Sequence, residues 1–274
     1  MLFYCIFVQY LVHKKLKSLK SQNYPQMKRN RVKKTLTFSV IIAISLLGLT
    51  AFTENDQMAD STKTTSDVPN TRLDVSISGT ISHTKHTPNQ TGTVTFNRFP
   101  CSIDEFKSVQ SQIGGEPHGA VVMELMAAEM YRRNAAIGTE CLKLCNTPLN
   151  INAQIRRWKE LFGKDENYNR PYQIGAFLKG ATHENRYTPN EPYTIEVKVN
   201  NGRPYGNTLD YQSTMLYLDV LTKGKDSGSE TVAVVKPNPC RAYPNGSDYF
   251  LVDNCPGLYS QVKEIYEPNW DKLK

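Results

Sequence analysis

The stretch that decides the fold is Tyr193-Thr194-Ile195-Glu196-Val197-Lys198-Val199, in which apolar and polar side chains alternate. A period of two is typical of a β-strand with one buried and one solvent-exposed face. Before residue 171 the apolar side chains instead recur every three or four positions, which is typical of helices. The sequence therefore predicts an α+β fold, in which N-terminal helices pack on one face of a C-terminal antiparallel meander.

Four helices are predicted before that change of period. Ser102-Ile103-Asp104-Glu105 is a capping-box pattern, and the helix that it opens should end at Gly114-Gly115. The next helix, from Pro117 to Asn134, is apolar around most of its circumference and is therefore expected to be the central buried helix. Two further helices are predicted over residues 139–146 and 150–162. The inward face of the last one should carry Ile151, Ile155, Trp158 and Phe162.

Several further strands are predicted around the stretch that opens this section. After residue 171 they cover residues 176–179, 193–199, 214–222, 231–235 and 249–252, and a short terminal helix should follow over 258–265. Upstream, residues 73–78 and 93–96 also alternate. Two interpretations of these upstream segments are open, because they fit either edge strands or tail segments that dock onto the main domain.

Residues 27–51 have the composition of an export leader. A basic stretch from Met27 to Lys34 precedes an uncharged apolar run that ends near Ala51, the layout of a secretory signal. The apolar run is shorter than the roughly 20 residues of a membrane-spanning helix. Cleavage after this segment and retention as an uncleaved anchor are both open, and membrane contact is expected only through an uncleaved leader. Export to the periplasm or the cell surface is the prediction.

The rest of the chain divides into three parts. Residues 1–26 are predicted to be an extension of the gene model upstream of a true start at Met27; the alternative is an amphipathic segment on a membrane surface. Residues 52–98 are a polar tether with two candidate edge strands, because Thr, Ser, Asp, Asn and Lys dominate its first part. Residues 99–274 are predicted to form a single α+β domain.

The charge distribution argues against nucleic-acid binding. The formal net charge is +7, but residues 1–51 hold nine of the 33 basic residues and none of the 26 acidic ones. The remainder has 24 basic and 26 acidic side chains. The predicted folded part of the chain therefore lacks the net positive charge that a nucleic-acid-binding protein needs.

Five cysteines follow the leader, an odd number for an exported protein. Cys240 and Cys255 flank the predicted strand 249–252 and are a candidate disulfide. Cys141 and Cys145 lie four residues apart on one helical face and are interpreted as buried thiols. His83 and His86 lie in a polar segment without acidic or thiol neighbours, so a metal site is not predicted there. No cofactor is predicted either.

The sharpest polar cluster surrounds His183-Glu184 on a loop between two predicted strands. Loops on a rigid scaffold often carry binding groups. Carboxylate, imidazole and guanidinium groups could hold an anionic or sugar ligand while tyrosine rings stack on its apolar face. The alternative is an ordinary turn with surface charges. The candidate ligand-binding residues are Arg170, Tyr172, His183, Glu184, Arg186 and Tyr187.

Two blocks of sequence resemble a known family. They are Phe99-Pro100-Cys101-Ser102-Ile103-Asp104-Glu105-Phe106 and Phe177-Leu178-Lys179-Gly180-Ala181-Thr182-His183-Glu184-Asn185, the second leading into the stretch at 192–197. Both are similar to an uncharacterised family of exported proteins, a domain of unknown function from gut anaerobes of the Bacteroides and Clostridium groups. The resemblance covers about residues 99–266. It implies the same order of helices and strands, and it supplies no activity, cofactor or catalytic residue.

Three functions fit these features. The preferred hypothesis is a non-enzymatic envelope protein that binds a small ligand, a glycan or an envelope protein. The first alternative is a hydrolase of a cell-wall or dietary polymer that uses His183 and Glu184 as acid and base, although the sequence contains none of the familiar hydrolase motifs. The second is a structural element of a surface assembly. A cone-like sheet with an open mouth, as in nuclear-transport-factor-like folds, would favour a small ligand by analogy.

Overall fold

A computed structural model describes residues 71–162 and 172–265 of the chain. The helices within these ranges are α1 (Ile103–Ile113), α2 (Pro117–Arg133), α3 (Ala135–Cys145), α4 (Pro148–Leu161) and α5 (Tyr172–Gly175). The strands are β1 (Val75–Gly79), β2 (Thr91–Phe96), β3 (Tyr193–Val199), β4 (Gly206–Thr208), β5 (Ser213–Leu221), β6 (Ser229–Val235) and β7 (Leu251–Asn254). The α+β prediction is confirmed, since most strands follow the helices. The cone-like shape stays a prediction.

The strands form one antiparallel sheet in the order β1-β2-β3-β5-β6-β7, and β4 pairs with β5 beside that path. The alternation in β3 fixes which face is inward. Ile195 pairs with Val94 of β2 and Val197 pairs with Val220 of β5, and all four side chains are buried. The alternate residues of β3, Thr194, Glu196 and Lys198, point to the opposite face, because neighbouring side chains of a strand alternate.

Helix α2 is the central helix, as predicted. It packs on β2, β3, β5, β6 and β7 and touches each of the other helices, and 15 of its 17 residues are buried. The helix begins at Pro117, which suits the first turn because that position needs no amide hydrogen bond. Its apolar side chains fill the layer between the sheet and the remaining helices, which places the core there.

The predicted cap of α1 is confirmed, with one difference. The amide of Glu105 donates to Ser102 Oγ at 3.1 Å, as the pattern requires. The Glu105 carboxylate accepts from the amide of Cys101, one residue earlier than a capping box would place it, at 2.7 Å. The guanidinium of Arg98 also reaches this carboxylate at 2.7 Å, and its hydrogen bond lowers the pKa of Glu105.

Two predicted elements are wrong. Residues 176–179 form a turn instead of a strand, because Phe177 and Leu178 are both buried and their amides bond back to Ile174 and Gly175. Residues 258–265 form turns followed by irregular chain instead of a helix. There the amide of Lys263 bonds to the carbonyl of Gly224 in place of a helical partner, at 2.8 Å.

The sheet starts upstream of the predicted domain boundary at residue 99. Strand β2 pairs with β1 on one side and β3 on the other, so it is an interior strand, and its Val94 and Phe96 belong to the main core. Strand β1 is at one edge of the sheet. The predictions for residues 1–26, for the leader at 27–51 and for most of the tether concern residues outside the described ranges. Among residues 71–162 and 172–265 no helix is long and apolar enough to cross a membrane.

Candidate functional site

The His183 loop is a tight turn organised by one asparagine. The side chain of Asn185 accepts from the amides of Thr182 and Thr188 and donates to the carbonyls of Gly180 and Thr188, over 2.8 to 3.2 Å. The next two residues along the chain, Arg186 and Tyr187, adopt left-handed backbone angles with φ of 60° and 56°. The loop is therefore held by its own hydrogen bonds.

His183 and Glu184 contact each other on this loop. His183 Nδ1 lies 3.1 Å from a carboxylate oxygen of Glu184, and the Glu184 side chain is 64% exposed. Hydrogen bonds from its own amide and from Thr182, with a smaller effect from His183, lower the pKa of Glu184. Because the Glu184 carboxylate faces solvent, the two side chains do not converge on a cleft, so the arrangement gives no support to the hydrolase alternative.

The two tyrosines of the predicted site pack on each other. The rings of Tyr172 and Tyr187 stack with centroids 5.6 Å apart and 14° between their planes. Tyr187 is buried, and its hydroxyl donates to the carbonyl of Lys263 at 2.6 Å. Burial raises the pKa of Tyr187 to about 12. Arg170 lies outside the described residues, so its place in a site stays a prediction.

A cavity of about 510 Å³ lies beside this loop. None of the predicted site residues that the structure describes lines it. The first wall is the turn after α5, and the second wall is the end of β5 with the connection between β5 and β6; one residue of β3 also lines the cavity. The lining residues are Phe177, Leu178, Lys179, Gly180, Glu196, Leu221, Thr222, Lys223, Lys225 and Gly228.

Hydrogen bonds lock the two walls of the cavity together. The Thr222 hydroxyl donates to the carbonyl of Ala176 at 2.6 Å and accepts from the amide of Gly224 at 2.9 Å. Gly224 has no room for a side chain, because an added Cβ would lie 3.0 Å from the ring of Tyr187 and closer still to Ala176. Tyr187 therefore packs against the backbone of the second wall and does not line the cavity, although it was predicted to contact a ligand.

The charges of the cavity are three lysines and one glutamate. Lys179 Nζ lies 2.8 Å from Glu196 Oε1, and this ion pair joins the first wall to β3. Lys225 is almost fully buried; its ammonium pairs with Glu230 and donates to the carbonyl of Gly257 at 2.9 Å. Lys223 is exposed and forms no ion pair among the described residues. The cavity therefore offers an excess of positive charge next to apolar walls.

A second polar cluster lies in the core and was missed by the sequence analysis. Glu124 of α2 is fully buried and accepts hydrogen bonds from Asn146 at 2.5 Å, from Gln154 at 2.7 Å and from the Cys255 thiol at 3.5 Å. Asn150 extends the network by donating to Asn146 at 2.9 Å. Burial raises the pKa of Glu124 although these three hydrogen bonds lower it in part.

Helix α4 is rotated about its own axis relative to the predicted orientation, because its polar side chains face this network. The fully inward stripe is Asn150, Gln154 and Trp158, whereas Ile151 and Ile155 are only half-buried. The signal that could have revealed the network is Glu124 itself. An acidic side chain amid the apolar run of α2 has to find hydrogen-bond donors on a neighbouring element, because an unpaired buried charge is costly.

The cysteines do not form the predicted bridge. Cys240 and Cys255 are both free, and so are the three other cysteines among the described residues. Cys255 lies in the main core, while Cys240 packs against a separate cluster around Tyr211 and Val235. Burial raises the pKa of Cys141 to about 12 and that of Cys255 well above its ordinary value, which makes both thiols unreactive.

Metal chemistry has no obvious site in the described part of the chain. There, no group of three or more His, Cys, Asp or Glu side chains is arranged to hold an ion. His83 packs edge-on against Phe250, with ring centroids 5.6 Å apart. His86 instead contacts the carbonyl of Asn200 through Nε2 at 3.0 Å and packs edge-on against Tyr205. The two imidazoles thus have separate partners.

Comparison with known proteins agrees with the resemblance noted in the sequence. The model of a family described as a domain of unknown function, DUF6935, matches residues 98–266, and the chain belongs to this family. No curated protein and no solved structure matches the chain. The family provides no activity to transfer, so a function has to be argued from the geometry described above.

Proposed function

We propose that the protein is a non-enzymatic binding protein that holds a small ligand in the cavity beside the His183 loop. The observation that carries the proposal is the cavity itself. Its volume of about 510 Å³ falls in the range of about 300 to 1,000 Å³ that is usual for small-molecule sites. Apolar walls next to a few fixed polar groups are also the usual composition of such sites.

The rigidity of the walls supports binding. The first wall is fixed to β3, because the amide of Lys179 donates to the carbonyl of Thr194 at 2.8 Å. The second wall is fixed to the first through Thr222 and Ala176. A ligand that enters a site held in this way does not have to order the protein, which lowers the entropic cost of binding.

A thermal-shift screen of the full chain against acidic, neutral and basic small molecules, simple sugars and soluble glycan fragments tests the proposal. At least one compound should raise the melting temperature in a concentration-dependent manner. Leu221→Trp should abolish the shift by filling the cavity. Leu149→Trp is the matched control, because Leu149 is 71% exposed on α4 and does not line the cavity. A shift that survives Leu221→Trp would place the ligand elsewhere and contradict the proposal.

We also propose that the protein is exported to the periplasm or the cell surface of a bacterium, with Bacteroides-type or Clostridium-type gut anaerobes as the expected hosts. The support is the basic stretch and apolar run of residues 27–51. N-terminal sequencing of the protein from fractionated host cells tests this. A mature chain that begins near Phe52 in the envelope or secreted fraction is the expected result. A cytoplasmic chain that retains residues 27–51 would contradict export.

Strand β1 favours a second candidate function, a structural role in a surface assembly. Within the described residues β1 pairs only with β2, so its other edge has unpaired backbone groups. Such an edge can add a strand from another chain. Crosslinking of envelope extract through a photoreactive residue at Ser76 tests this role. A specific protein adduct is expected for the structural role, and its absence would contradict that role.

A further inference from the structure

The lysines of the cavity differ in how much of their charge is already neutralised. Lys179 is paired with Glu196, and Lys225 is paired with Glu230 and is 4% exposed. Glu196 is the one acidic side chain in the lining. Lys223 is the remaining cation, and it stands at the cavity without an ion-pair partner among the described residues.

The backbone that carries Lys223 is fixed on both sides. Thr222 immediately before it is buried and bonded to Ala176, and Gly224 immediately after it is packed under the Tyr187 ring. The carbonyl of Gly224 also accepts the amide of Lys263 at 2.8 Å. The backbone position of Lys223 is therefore set by these hydrogen bonds and by this packing, and the ammonium reaches the cavity through its own side chain.

Apolar side chains line both walls of the cavity. Phe177 and Leu178 of the first wall and Leu221 at the end of β5 contribute the carbon surface of the lining. An inorganic anion would gain nothing from these side chains, because the hydrophobic effect rewards only apolar surface removed from water. The combination selects a molecule with an anionic end and an apolar body.

Building on the function proposed above, we infer that the ligand is an organic carboxylate, whose anionic group pairs with Lys223 and whose apolar body lies against Phe177, Leu178 and Leu221. Lys179 and Lys225 hold the walls through their own ion pairs and add a positive field. Glu196 disfavours a basic ligand. Because a hydrogen bond to a charged group is worth roughly 1.5–3 kcal/mol, loss of the Lys223 contact should weaken binding by about tenfold or more.

Isothermal titration calorimetry with two probes of equal shape tests this inference. Indole-3-acetate carries the charge, and indole-3-acetamide lacks it. The acid should bind the full chain at least about tenfold more tightly than the amide. Lys223→Gln should reduce the affinity for the acid to nearly that for the amide and leave the amide affinity unchanged. Lys85→Gln is the matched control, because Lys85 is an exposed lysine outside the cavity.

The possible results separate this inference from the proposed function. Equal binding of acid and amide, or an unchanged affinity of Lys223→Gln for the acid, would overturn the carboxylate inference and leave small-ligand binding intact. The inference alone also fails if neither indole probe binds but a neutral compound from the thermal-shift screen does. If no compound of any charge binds, both the inference and the proposed function fail.

Discussion

Replacing Glu124 by Gln should change the pH dependence of stability. The substitution keeps the size of the side chain and resembles the protonated carboxyl, which is the form that full burial favours. In the unfolded chain the same carboxyl has an ordinary pKa of 4.5. Below that pH it is protonated in both states, so the wild type and Glu124→Gln should then differ only by local hydrogen bonding, about 1 kcal/mol in the free energy of unfolding.

The magnitude above pH 4.5 follows from the raised pKa of Glu124 in the folded state. As pH rises, the unfolded carboxyl releases its proton while the folded one keeps it, so the folded state loses relative stability. The loss is about 1.4 kcal/mol for each pH unit until the pH passes the folded pKa, after which it is constant. Glu124→Gln lacks this group, so its stability relative to the wild type should rise by the same amount per unit.

Urea unfolding of both proteins at intervals between pH 5 and pH 8 measures the effect. Far-UV circular dichroism and tryptophan fluorescence, to which the buried Trp158 contributes, follow the same transition if it is two-state. Glu140→Gln is the matched control, because Glu140 is half-exposed and pairs with Lys143 at the surface. A difference between Glu124→Gln and the wild type that does not change with pH would refute the argument, since Glu124 would then titrate alike in both states.

Two further predictions concern packing and thiol chemistry. An added methyl group at Gly92 would overlap the ring of His118, so Gly92→Ala should lower the free energy of unfolding by about 2 kcal/mol. The loss should be smaller in a His118→Ala background, and equal losses in both backgrounds would rule out this contact as the cause. Iodoacetamide should label the partly exposed Cys101 and Cys240 of the native protein well before the three buried cysteines, as followed by mass spectrometry. Labelling of Cys255 before Cys101 and Cys240 would contradict its burial.

The parts of the fold that could be predicted are those with a strong local period. The alternation of residues 193–199 predicted β3, and the apolar circumference of residues 117–134 predicted a buried α2. The strand predicted at 176–179 failed because two adjacent apolar residues, Phe177 and Leu178, are both buried in a turn. A short apolar run has no period that distinguishes a strand from a packed turn.

The candidate site was less accessible to sequence reasoning, because its residues come together from separate segments. The sequence singled out His183 and Glu184, which are adjacent in the chain, but the cavity brings Lys179 next to Lys223 and Lys225 from more than 40 positions away. That contact depends on the Thr222 bond to Ala176, and no local pattern predicts it. The core network around Glu124 likewise joins α2, α4 and the segment after β7.

Amide chemical-shift mapping of the isotopically labelled full chain, titrated with indole-3-acetate, tests most directly whether the cavity is the binding site. Saturable shifts should be concentrated in residues 177–180 and 221–228, with the outer face of β2 unchanged. Saturable shifts centred on residues 182–186 instead, with the two cavity walls unaffected, would contradict the account and return the site to the surface of the loop.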